Sequence, residues 1–74
     1  VVPTIIGGTG TAQSLIYRPT SGNGTTGADH IFQVGNNGGT EAMRILNNGN
    51  VGIGTGAPTS KLNISGGGLR IFNG

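Results

Sequence analysis

The run Val51-Gly52-Ile53-Gly54, set directly after Asn48-Gly49 and Asn50, leaves the backbone few choices. Side chains alternate across an extended segment, so Val51 and Ile53 share one apolar face while Gly52 and Gly54 leave the other face bare. A bare face weakens an isolated strand. Glycine at this period therefore implies that another backbone, from this chain or from a neighbour, comes close there. The four residues Val51, Gly52, Ile53 and Gly54 are accordingly read as part of an assembly surface. Ahead of them, Asn48 and Gly49 predict a turn, because both tolerate positive φ and reverse the chain with the twist that strands prefer. Asn37-Gly38 predicts a second reversal, and the triplet Asn-Asn-Gly occurs at both Asn36 and Asn47.

Around these turns the apolar residues come in short bursts about ten residues apart, which is how a chain of short strands reads. Residues 1–6 are β-branched except Pro3, which cannot donate to a ladder, so they predict an edge strand or an arm. The arm's apolar members Val1, Val2, Ile5 and Ile6 are expected to lie against another chain. A flexible joint, Gly7-Gly8-Thr9-Gly10, follows. Strands are expected at residues 14–18, 30–34, 41–46, 51–54 and 61–65, with the 30–34 and 41–46 pair as the strongest hairpin. Gly66-Gly67-Gly68 reads as a hinge, and residues 69–72 as the start of a last strand. The resulting division is an arm and joint (1–10), a β-meander (11–65) and a hinge with a further strand (66–74). The first residue is Val1, which reads as a processed product or a fragment.

Composition decides what can hold such a chain together. It has 74 residues, 17 of them glycine, with no cysteine and no tryptophan, so neither a disulfide nor a thiolate-bound metal can staple it. Glycine, Asn, Thr and Ser together exceed half the chain. Glycine loses the most backbone entropy on folding, and small domains bury little surface. A folded monomer is therefore marginal, and oligomerisation is the remedy open to it. A similar composition also fits a disordered linker, but the regular bursts of apolar residues argue for short strands instead.

Chemistry is thinly represented. The four basic residues Arg18, Arg44, Lys61 and Arg70 are scattered, and with only Tyr17, Phe32 and Phe72 as aromatics they do not form a nucleic-acid surface. No apolar run approaches the roughly 18 residues of a membrane helix. Gly52-Ile53-Gly54-Thr55-Gly56-Ala57 spells a dinucleotide-type glycine pattern, but Pro58 and the Thr-Ser pair after it do not continue a helix, so no cofactor is expected. His30 is the one histidine and Asp29 and Glu41 the two carboxylates. His30 and Asp29 point to opposite faces of a strand, and no triad or facing pair of carboxylates emerges. No enzyme activity and no metal site are expected, although three His30 side chains gathered round a trimer axis would offer a place for a metal or an anion. Asn23 and Asn63 open N-x-S/T triplets and would accept glycans in a glycosylating secretory route.

The string Met43-Arg44-Ile45, then Asn48-Gly49-Asn50-Val51-Gly52-Ile53-Gly54-Thr55, then Pro58 and Leu62, resembles a segment found in many bacteriophage tail-fibre and tailspike-like proteins. Ser14-Leu15, Thr20-Ser21-Gly22, Gly24, Asp29, Ile31-Phe32 and residues 34–38 extend the resemblance over residues 8–65. The chain departs from the common pattern at Gly56 and at Tyr17-Arg18-Pro19. The resemblance implies a β-rich, often trimeric spacer of the kind that commonly precedes a self-cleaving intramolecular chaperone domain. The expected fold is thus all-β, a short-stranded glycine-rich meander in an intertwined homotrimeric β-prism or shaft. The expected role is a structural segment of a virion or extracellular fibre, a spacer or a shaft that presents a receptor-binding part to a host-surface glycan or protein. The alternative is a subunit of an extracellular filament linked by strand exchange through the arm.

Overall fold

A computed structural model describes residues 2–73. Val1, counted with the arm above, lies outside the described residues. The fold is all-β: one four-stranded sheet with strands in chain order, β1 (His30–Val34), β2 (Thr40–Ile45), β3 (Val51–Ile53) and β4 (Leu62–Ile64). The first two pairings are antiparallel and the third, β3 with β4, is parallel. The sheet is therefore mixed, which corrects the meander expected from the sequence. Period-2 alternation is the same read in either direction, so the pattern of residues 61–65 carries no information on which way the strand runs.

Local chemistry fixes the two hairpins differently. Between β1 and β2, Asn37 (φ 56) and Gly38 (φ 67) both take positive φ, and the Gly39 amide donates to the Asn36 carbonyl at 3.1 Å. Two central residues at positive φ make the primed turn that suits strand twist. Between β2 and β3 the Gly49 amide donates to the Leu46 carbonyl (2.8 Å), the Leu46 amide to the Asn50 carbonyl (2.9 Å), and only Gly49 (φ 91) has positive φ. This is a three-residue loop closed by a left-handed glycine, not a two-residue reversal at Asn48-Gly49. Asn48 Oδ1 steadies it by accepting from the Asn50 amide at 3.0 Å.

The parallel connection from β3 to β4 takes only residues 54–61, short for a crossover. It succeeds because it lies flat on the sheet over Gly52, where there is no side chain to displace. Gly52 and Pro58 are the buried residues of the sheet and crossover. A Cβ on Gly52 would collide with the Thr55 carbonyl and sit 3.2 Å from the Pro58 ring. The crossover is pinned at its ends: Asn50 Nδ2 donates to the Pro58 carbonyl (3.3 Å) and the Thr59 amide to Asn63 Oδ1 (3.2 Å).

Two expected strands are absent among the described residues, and the segment expected as an edge strand or an arm forms no strand. Residues 2–6, 14–18 and 69–72 have extended, apolar sequences, yet none joins a ladder among the described residues. A strand needs a hydrogen-bonded neighbour, and within one chain these segments find none. The whole is correspondingly open. Its radius of gyration is 15.3 Å, against ~11 Å for a compact domain of this length.

Candidate functional site

Pairing register sorts the sheet into two unlike faces. Directly opposed residues point the same way, so His30, Ile45, Val51 and Leu62 share one face with Phe32, Met43, Ile53 and Ile64. No charged side chain of the ladder lies on this face. It is only partly covered: Met43, Ile45, Val51 and Ile64 are half-buried, but Phe32 is 48% exposed, Ile53 41% and Leu62 51%, and among the described residues no hydrophobic side chain is fully buried. At the β1 side, Ile5 and Tyr17 come over the sheet and line an open apolar groove of about 500 Å³ with His30, Phe32 and Ile45. The arm thus rests beside this face without closing it.

The opposite face carries Ile31, Arg44, Gly52 and Asn63, and it is the polar one. Arg44 holds both carboxylates of the chain. Its guanidinium donates to Asp29 Oδ2 at 3.1 Å, and to Glu41 through Nε at 3.0 Å and through a second, shorter bond from Nη2. Residues three apart on a regular strand point to opposite faces. Ladder register slips between Phe32 and Gln33, which leaves Ala42 as an extra residue in β2 and turns Glu41 to the side of Arg44. Asp29 Oδ1 also accepts from the Asn47 amide at 3.0 Å, which ties the start of β1 to the β2–β3 loop. The Asp29 side chain is 4% exposed, and that of Glu41 is 27% exposed. The hydrogen bonds to Glu41 raise the Arg44 pKa above its ordinary value, burial works against this, and Asp29 adds to the rise. Gly56 lies above this cluster: a Cβ there would stand 3.0 Å from Glu41 Oε2.

The residues singled out in the sequence fall as follows. Val51 and Ile53 lie on the partly covered apolar face, as does His30. Gly52 and Gly54 do meet a close backbone, and that backbone is their own chain's: the Thr55 carbonyl for Gly52 and the Ser65 carbonyl for Gly54, which also takes φ 78. Val2, Ile5 and Ile6 are exposed and form no ladder. Asn23 is exposed in a loop, whereas Asn63 is half-buried in β4 with its Oδ1 engaged by Thr59. Asp29 and Glu41 meet on the Arg44 guanidinium, and the Arg44–Asp29 bond spans 15 residues, a link that spacing alone does not reveal. Among the described residues, no three metal-ligating side chains cluster, and no helix is long and apolar enough to cross a membrane. Comparisons with known protein families, curated proteins and solved structures give no match for the chain.

Proposed function

We propose that this chain is a structural segment of an extracellular or virion fibre of the phage-tail-fibre kind, a homotrimer that serves as a spacer or a receptor-presenting shaft. The partly covered apolar sheet face is the observation that carries this reading. A compact monomer of this 7.3 kDa mass exposes about 4,200 Å²; the chain exposes 6181 Å². Much of the surplus, about 2,000 Å², lies on the segments outside the sheet, residues 2–27 and 66–73, which are exposed throughout. The resemblance of residues 8–65 to fibre segments favours the trimeric architecture.

A filament joined by strand exchange is the second reading, and the arm's position favours it. Residues 2–6 belong to no ladder, while β1 and β4 each have one unpaired edge among the described residues. Deleting residues 1–10 separates the two. Sedimentation of the truncated chain is expected to show a trimer of lowered melting temperature, because the sheet face survives. Soluble single subunits that capture an added peptide of residues 1–6 would reject the trimeric fibre in favour of the filament.

A further inference from the structure

We infer that the loop residue Asn23 is a modification site, at which the Gly24 backbone nitrogen closes on the Asn23 carboxamide and the side chain is converted, without an enzyme, to aspartyl and isoaspartyl forms. The step balances with water as its only co-reactant. The Gly24 amide gives up its proton to base, its nitrogen bonds to Asn23 Cγ, and the Cγ–Nδ2 bond breaks as ammonia leaves. Water then opens the five-membered imide at either carbonyl, which leaves the main chain as before or reroutes it through the side chain. The attacking nitrogen has to be uncrowded, able to turn towards Cγ and able to lose its proton. A following glycine meets the first demand, because it has no Cβ. The fold decides the other two.

Three Asn-Gly pairs lie within the described residues, and a fourth, Asn73-Gly74, reaches beyond them. At Asn37-Gly38 the Gly38 amide donates to the Gly35 carbonyl at 3.2 Å, and at Asn48-Gly49 the Gly49 amide donates to the Leu46 carbonyl at 2.8 Å. An amide held in this way has to open its bond before it exchanges its proton. Asn48 is tied a second time, since its Oδ1 accepts from the Asn50 amide at 3.0 Å. Among the described residues the Gly24 amide and the Asn23 side chain have no such partner, and both residues are exposed. They lie between two local turns that use neither of them, one closed by the Gly22 amide on Thr20 Oγ1 (3.1 Å) and the other by the Ala28 amide on the Thr25 carbonyl (2.9 Å). No ladder contains this loop, so its rotation leaves the sheet intact. The conversion adds one carboxylate, which takes the net charge from +2 to +1, and it removes the N-x-T triplet at Asn23. None of this depends on the fibre reading.

The full chain is incubated in mildly alkaline buffer made with heavy-oxygen water, and peptide mapping by mass spectrometry reads the label gained at each Asn. Asn23 is expected to convert several-fold faster than Asn37 and Asn48, with both aspartyl and isoaspartyl products. In concentrated urea the three rates are expected to converge, because the turns that hold the Gly38 and Gly49 amides are lost. Gly24→Ala is a change the loop accommodates, since its Cβ would stand 3.7 Å from that of Ala28, an ordinary contact. It is expected to slow conversion at Asn23 several-fold and to leave the melting temperature unchanged. Conversion of Asn37 or Asn48 in the folded chain as fast as that of Asn23, or an Asn23 that gains no label, overturns the proposal. So does an order of rates that persists in urea, which would assign it to the neighbouring residues and not to the fold.

Discussion

Gly52 and Gly54 show how a residue with no side chain can dictate topology. At Gly52 the missing Cβ is the space through which the crossover passes, and at Gly54 positive φ turns the chain off β3 under the Ser65 carbonyl. Gly52→Ala is expected to cost about 1–3 kcal/mol, because a Cβ forces the Thr55 carbonyl and the Pro58 ring away from the sheet. Gly54→Ala is expected to cost about 1–3 kcal/mol for the left-handed backbone alone, before its clash is counted. Gly67, where an added Cβ meets nothing, is the control and should change little. Thermal melting of the three variants ranks them, and equal melting of Gly52→Ala and Gly67→Ala would mean the crossover does not rest on β3. That a backbone comes close to these glycines was legible in their spacing. Which backbone was not, because a glycine records only the vacancy and the visitor is set by the crossover.

At the scale of elements, the Arg44 fork joins pieces that the ladder alone leaves independent. Asp29 stands before β1, Glu41 lies in β2 beyond the bulge, and the Asn47 amide belongs to the β2–β3 loop. Asp29→Ala is expected to lower the melting temperature more than Glu41→Ala, since the Asp29 carboxylate is the more deeply enclosed and serves two donors from different elements. The reverse order would show the fork to be a surface decoration. None of this was legible beforehand: the bulge at Ala42 resets the alternation that a regular strand would follow. The first hairpin was legible, because Asn37-Gly38 supplies both positive-φ positions between two alternating segments. The segments at residues 14–18 and 69–72 alternate as well, but alternation specifies a face to bury and not a partner to pair with. Their apolar residues remain exposed in the single chain.

At the scale of the whole molecule, the sheet is two-sided in an unusual sense for a free domain. On its polar face the ion pairs are formed and the crossover is seated, whereas its apolar face leaves Phe32, Ile53 and Leu62 exposed. Fully burying one large aliphatic or aromatic side chain stabilises by about 1.5–3 kcal/mol, and the apolar face holds several such side chains that a single chain leaves half in water. In the proposed trimer a second and a third copy supply the missing cover. Native mass spectrometry of the full chain, sprayed from neutral solution at micromolar concentration, tests this most directly. A trimeric fibre segment is expected to give a species of three chains as the dominant ion series, giving way to one chain when Ile53 is replaced by Asp. A dominant single-chain species in the unaltered protein, with a folded charge-state distribution, would contradict it.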